Sequence, residues 1–128
     1  MKGLFFVMVY LASGLVWAHG ENKPGPHGGY VRMPGAFHTE VVLVNANQFK
    51  VFLLDFDFKN PVVQNSSVAG VFEGNLTGTI SCAASDNSFI CTLPTGAHFK
   101  SGELKLSVKR QEQKGEARYK LPLSFKHH

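Results

Sequence analysis

The stretch that decides the fold is FHTEVVLVNANQFKVFLLDFDFK, residues 37–59. Apolar residues recur at about every second position on both sides of Asn45-Ala46-Asn47, three residues of the kind that turn a chain. A period of two is that of a β-strand, because successive side chains of a strand point to opposite faces. The stretch therefore predicts two strands joined by a turn, the second running from Phe49 to Phe58.

This second strand has one apolar face and one polar face. Asp55, Asp57 and Lys59 share the polar face, which we interpret as a solvated surface rather than as a pair of catalytic carboxylates. The predicted core face carries Phe52, Leu54, Phe56 and Phe58.

The rest of the chain continues in short alternating segments separated by turn residues, with no amphipathic helix. The predicted strands are Tyr30–Met33, a strand starting at Phe37, Phe49–Phe58, Val68–Glu73, Thr77–Ala84, Ser88–Leu93, Leu104–Arg110 and Ala117–Phe125. Seven or eight strands at this spacing predict an all-β fold, an antiparallel β-sandwich of immunoglobulin-like type. A closed small barrel is the alternative.

The two cysteines lie on either side of Asp86-Asn87, a dipeptide suited to a two-residue hairpin turn. Pairing outward from that turn places Cys82 opposite Cys91 at a non-hydrogen-bonded position, where Cα atoms approach to about 4.5 Å. A disulfide spans that distance. We therefore predict a Cys82–Cys91 bridge, with a stabilising effect of about 2–3 kcal/mol for so short a loop.

Composition excludes several classes of function. The 128 residues fit one domain, and 44% hydrophobic with 17% charged residues is the composition of a globular chain. Thirteen basic residues against nine acidic ones, without a basic run, argue against a nucleic-acid partner. Two cysteines are too few for a four-cysteine zinc site. The chain has no GxSxG, HExxH or phosphate-binding glycine loop, so we predict no enzymatic activity.

The N-terminus has the pattern of an export signal. Lys2 precedes an apolar run from Leu4 to Val16, and Val16 and Ala18 are small residues placed for cleavage after position 18. We predict three segments: a signal peptide over 1–18, a flexible Gly/Pro-rich arm over 19–36, and a β-sandwich domain over 37–128. The mature chain would begin at His19, lack a membrane anchor, and be periplasmic or secreted.

All six histidines follow the predicted cleavage site, and imidazole is a ligand for copper, zinc and nickel alike. His19, as the mature N-terminus, would offer a free α-amine together with its ring nitrogen. His27 lies among glycines and a proline that leave its ring free to turn. His38 and Glu40 share a strand face about 7 Å apart, close enough to share an ion. We predict a metal site formed by His19, His27, His38 and Glu40.

The remaining histidines and two asparagines are not part of the predicted metal site. His98 follows a turn, and His127 and His128 end the chain, where residues are usually unconstrained. Asn65 and Asn75 begin glycosylation sequons, which matter only in a eukaryotic secretory pathway.

Gly25-Pro26-His27-Gly28-Gly29, followed by FHTEVV over 37–42, resembles the opening of small periplasmic proteins encoded with bacterial metal-efflux systems. It also resembles the N-terminal region of some heavy-metal efflux adaptor subunits. An exported β-sandwich that begins with histidine is similar to the CopC-like copper carriers, which bind Cu(II) through that residue. This resemblance implies that His19 is a copper ligand.

These observations predict an exported metal-binding protein that acts as a carrier or buffer in metal homeostasis. Copper is the expected ion, with zinc or nickel next, and a periplasmic efflux or metal-handling protein is the expected partner. One alternative is a β-sandwich interaction module that binds no metal. A second is a copper oxidase with an N-terminal histidine, similar to lytic polysaccharide monooxygenases. Copper binding would distinguish the metal carrier from the interaction module. Turnover with a reductant and oxygen would distinguish the copper oxidase from both.

Overall fold

A computed structural model describes residues 23–125, and the regular structure in that range consists of β-strands. The eight strands are β1 Tyr30–Arg32, β2 His38–Leu43, β3 Gln48–Leu54, β4 Ser67–Glu73, β5 Thr77–Ser85, β6 Ser88–Thr92, β7 Gly102–Arg110 and β8 Gln113–Leu121. No helix between residues 23 and 125 has the length and hydropathy to cross a bilayer. The predicted leader over 1–18, His19, His127 and His128 lie outside the described residues.

All neighbouring strands are antiparallel, in the order β1-β2-β3-β6-β5-β4-β7-β8. Strand β5 turns the corner between two layers, because residues 77–80 pair with β4 and residues 81–85 pair with β6. From β2 to β8, the pairing gives a four-stranded and a three-stranded layer in the strand order of the immunoglobulin fold. The predicted all-β antiparallel sandwich is therefore confirmed, with β1 as an additional edge strand.

The two ends of the strand order, β1 and β8, lie close together, so the sheet is nearly closed. Arg32 on β1 donates from Nε to the carbonyl of Arg118 on β8 over 3.0 Å. Its guanidinium also lies 4.7 Å above the ring of Tyr119. Below it, the hydroxyls of Tyr119 and Thr39 are hydrogen-bonded at 2.6 Å inside the core. The contacts of Arg32 join the two edge strands of the sheet.

The core lies between the two layers and is made by inward-facing apolar side chains of nearly every strand. Its fully buried large members include Phe37, Phe49, Leu53, Phe72, Leu104 and Tyr119. The predicted Cys82–Cys91 disulfide is present, with Cα atoms 4.0 Å apart, and the predicted hairpin register is confirmed. Cys91 is fully buried against this core.

The predicted face of the Phe49–Phe58 strand is wrong. Strand β3 ends at Leu54, and its core residues are Phe49, Val51 and Leu53. Phe52 and Leu54 are buried on the opposite, outer face of the sheet, beneath loops. Phe56 is 62% exposed. The strand pattern breaks because the Asp55 side chain caps a turn over 55–60, in which Phe58 and Asn60 have positive φ.

The last strand also lies earlier than the predicted Ala117–Phe125. Only the two-residue turn Gln111-Glu112 separates β7 from the last strand, so β8 starts at Gln113. The strand ends at Leu121 because Pro122 has no backbone N–H for the ladder. The alternate side chains Ala117, Tyr119 and Leu121 face inward and are buried in the core.

Candidate functional site

The predicted arm contains a tight turn over residues 25–29 that lies on the outer face of β2. The N–H of Gly28 donates to the carbonyl of Gly25, and the N–H of Gly25 donates to the carbonyl of Gly29, both over 2.9 Å. Pro26 has the fixed φ favoured at the second position of such a turn, and Gly28 adopts the left-handed region with φ of 78°. The turn presents His27 at its tip.

Two glycines let this turn approach the sheet closely. A Cβ at Gly25 would lie 2.5 Å from Cδ of Glu40, and a Cβ at Gly29 would collide with the carbonyl oxygen of Val41. No such restriction applies at Gly28, where the space for a Cβ is open and only the positive φ favours glycine. Gly25 and Gly29 therefore allow the turn to contact β2, whereas Gly28 allows the chain to bend.

The carboxylate of Glu40 is the centre of the site. Its side chain is fully buried, yet it points outward from β2 into the turn. Oε2 accepts the backbone N–H groups of His27 and Gly29, each over 2.8 Å. Oε1 lies 2.7 Å from Nδ1 of His27. A buried carboxylate is costly without such donors, so these three contacts fix the turn to the sheet.

The imidazole of His27 is held on a second side by Phe52. The two rings are parallel within 2°, with centroids 3.7 Å apart. Phe52 lies on β3 directly opposite Glu40 on β2, so the carboxylate and the ring platform come from one pair of the ladder. The His27 side chain remains 36% exposed. Its orientation is thus fixed while part of the ring faces solvent.

His38 belongs to a neighbouring aromatic cluster rather than to Glu40. Its side chain is buried, and its Nδ1 lies 3.3 Å from the carbonyl oxygen of Asp55. Its ring stacks on Phe58 at 3.9 Å, with Phe56 tilted beside it at 5.8 Å. His38 is therefore fixed by the turn that follows β3.

Asp55 organises that turn. Its carboxylate accepts the backbone N–H groups of Lys59 and Asp57 and the side-chain amide of Asn60. The hydrogen bonds from Lys59 and Asn60 hold the pKa of Asp55 below its ordinary value, because they stabilise the charged form. Asp55 and Asp57 do not face each other as a catalytic pair, since Asp55 is committed to the turn.

Two of the predicted ligands, His27 and Glu40, are in direct contact, and His38 lies on the same face of β2 with other neighbours. Within residues 23–125, no three His, Cys, Asp or Glu side chains come together as a site for a metal ion. His19 lies outside this range. Of the two predicted histidine ligands within residues 23–125, His27 has the accessible ring, whereas His38 is only 6% exposed.

Phe52 was predicted to face the core, whereas it stacks on His27 on the outer face of the sheet. A signal for this role was present in the chain. Pairing β2 with β3 outward from Asn45-Ala46-Asn47 puts Glu40 opposite Phe52, a pairing that the structure has. A buried acidic residue and a phenylalanine then necessarily share one face.

Comparison with known proteins finds no family model, no curated protein and no solved structure that matches this chain.

Proposed function

We propose that the protein is exported and that its mature chain binds one Cu(II) ion as a carrier or buffer in metal homeostasis. In this proposal the α-amine and imidazole of His19 chelate the ion, and the exposed edge of His27 supplies a further nitrogen. Zinc and nickel are the competing ions, and a periplasmic efflux or metal-handling protein is the partner.

The observation that carries this proposal is the immobilised imidazole of His27. Its ring is fixed by Glu40 at 2.7 Å and by Phe52 at 3.7 Å, yet it is partly exposed. Histidines that ligate metals commonly donate their other ring nitrogen to a carboxylate in this way. An arrangement of nitrogen ligands favours Cu(II), which is also highest in the divalent affinity order.

Export is supported by the disulfide. Bridges of this kind persist in oxidising compartments and are rare where thiols are kept reduced. The Cys82–Cys91 bridge lies against the core and joins two strands of the sandwich. Sequencing the N-terminus of the exported protein tests this part of the proposal, with His19 as the expected first residue.

The metal is tested by titrating the mature protein with Cu(II), Zn(II) and Ni(II), with native mass spectrometry for stoichiometry. We expect one Cu(II) per chain at micromolar affinity or better. His27→Gln and a form with one extra residue before His19 should each bind more weakly by about tenfold or more.

Two matched controls come from the histidines outside the predicted site. His98→Gln removes the histidine of the loop between β6 and β7, and a double His127→Gln, His128→Gln variant removes those at the C-terminus. Both should bind Cu(II) like the parent. Equal affinity in the His27→Gln variant would remove His27 from the site. Absence of binding by the parent would instead favour the interaction module.

A further inference from the structure

We infer that Glu40 is a positioning residue that keeps the proton of the His27 imidazole on Nδ1 and thereby leaves Nε2 as the nitrogen that meets a ligand. The metal part of this inference rests on the proposed function, whereas the position of the proton stands on the hydrogen bonds alone.

The donors around Glu40 determine the role of each oxygen. Oε2 receives two backbone N–H groups, from His27 and Gly29, and a backbone N–H has no other role than donor. Oε1 of Glu40 lies 2.7 Å from Nδ1 of His27. An ionised carboxylate only accepts, so the hydrogen in this contact belongs to Nδ1. A neutral imidazole carries one hydrogen, and its Nε2 then has a free lone pair.

Phe52 limits the ring to this orientation. The parallel contact at 3.7 Å covers one face of the imidazole and fixes the plane of the ring, and the contact with Glu40 determines which edge of the ring meets the carboxylate. No hydrogen bond within residues 23–125 engages Nε2 of His27. The fully buried carboxylate is thus not itself a ligand in this arrangement, and it acts through the imidazole.

Glu40→Gln is the informative substitution because it preserves size while changing the hydrogen-bonding roles. The two backbone N–H groups still require an acceptor, so the amide oxygen takes the place of Oε2. The amide NH₂ then faces Nδ1 of His27 and donates to it. We expect the proton to move to Nε2, which reverses the tautomer and blocks the nitrogen that the carboxylate had left free.

The test is long-range ¹H–¹⁵N correlation spectroscopy of the metal-free mature protein at neutral pH, with His27→Gln to assign the signals. We expect the Nδ1–H tautomer for His27 in the parent and the Nε2–H tautomer in Glu40→Gln. A parent with the Nε2–H tautomer would overturn the inference, and so would a Glu40→Gln variant that keeps Nδ1–H. If Glu40→Gln does not fold, the tautomer of the parent decides.

Two further variants separate positioning from general disturbance. Phe52→Leu removes the stacked ring but keeps the carboxylate, so we expect the Nδ1–H tautomer to persist. Glu116→Gln removes a negative charge from an exposed strand position and should change neither tautomer nor metal binding.

Copper titration then tests whether the proton position matters for the ligand. Glu40→Gln should weaken Cu(II) binding by about 10- to 100-fold. A reversed tautomer with unchanged affinity, in a protein whose His27→Gln variant loses affinity, would overturn the inference. If neither protein binds copper, the proposed function fails, and the tautomers alone decide whether Glu40 has this role.

Discussion

Nδ1 of His27 lies 2.7 Å from Oε1 of Glu40, a residue thirteen positions later whose side chain is fully buried. The same carboxylate accepts two backbone N–H groups of the turn that carries the histidine. One side chain therefore fixes both the position of the turn and the orientation of its ring. Variants at this contact should affect stability and ligand binding together.

Removing the carboxylate should destabilise the fold. Glu40→Ala leaves two backbone N–H groups and an imidazole without their acceptor, and each such loss costs about 1–3 kcal/mol. We expect a loss of about 3 kcal/mol or more in the free energy of unfolding, measured by urea denaturation. The exposed Glu116→Ala should change it by less than about 0.5 kcal/mol. A loss below about 1 kcal/mol in Glu40→Ala would contradict the structural role of this carboxylate.

The two adjacent glycines of the turn should respond differently. In Gly29→Ala the new Cβ meets the carbonyl of Val41 and the side chain of Val42, so the turn must move away from β2. We expect a loss of about 2 kcal/mol and weaker Cu(II) binding. Gly28→Asn has open space and a residue that tolerates positive φ, so its cost should stay below about 1 kcal/mol. Equal effects of the two would show that close approach to β2 is not required.

Substitutions of Phe49 and Phe56 test which phenylalanines belong to the core. Phe49 lies on the core face of β3, and Phe56 lies in the turn that follows β3. Phe49 is fully buried, and Phe49→Ala should cost about 3–5 kcal/mol. Phe56 is 62% exposed, and Phe56→Ala should cost less than about 1 kcal/mol. Urea denaturation of both variants measures the difference. Similar losses would place Phe56 in the core after all.

Reduction of the disulfide should weaken the fold without abolishing the hairpin. The bridge closes a short loop around the turn at Asp86, and loop entropy gives about 2–3 kcal/mol for such a length. Denaturation with and without a reducing agent measures this value. Thiol labelling of the unfolded, unreduced protein should find no reactive cysteine.

Asp55 should make stability fall with acid. The pKa of Asp55 in the folded protein lies below its ordinary value. The ionised carboxylate therefore contributes fully to the free energy of unfolding above the unfolded pKa, which is about 4. This contribution is lost as the pH falls through the folded pKa. Asp55→Asn should therefore reduce the decline of the urea midpoint below about pH 4. An unchanged decline would assign the acid sensitivity to other groups. Asp57→Asn, a substitution in the same turn, is the control.

Local pattern was sufficient for most of the fold. Period-two alternation located eight strands, and the Asp86-Asn87 turn gave the register that joins Cys82 to Cys91. It failed in the stretch LLDFDFK over 53–59, which continues to alternate after the strand has ended. Alternation reports which side chains share a face, but it does not say which face meets the other layer, and both faces of β3 are largely buried here.

The sequence by itself determined that this chain forms antiparallel strands and where its disulfide lies. It offered His27 and Glu40 only as two of four candidate ligands, beside His19 and His38. Only the tertiary structure decided that His27 and Glu40 meet, and that Phe52 lies beneath the imidazole. The physical reason is that the acceptor for the N–H groups of the turn lies eleven to thirteen residues later on β2, and the ring that stacks on His27 lies on β3. These contacts depend on the close approach of the turn to β2 at Gly25 and Gly29, which no local pattern encodes.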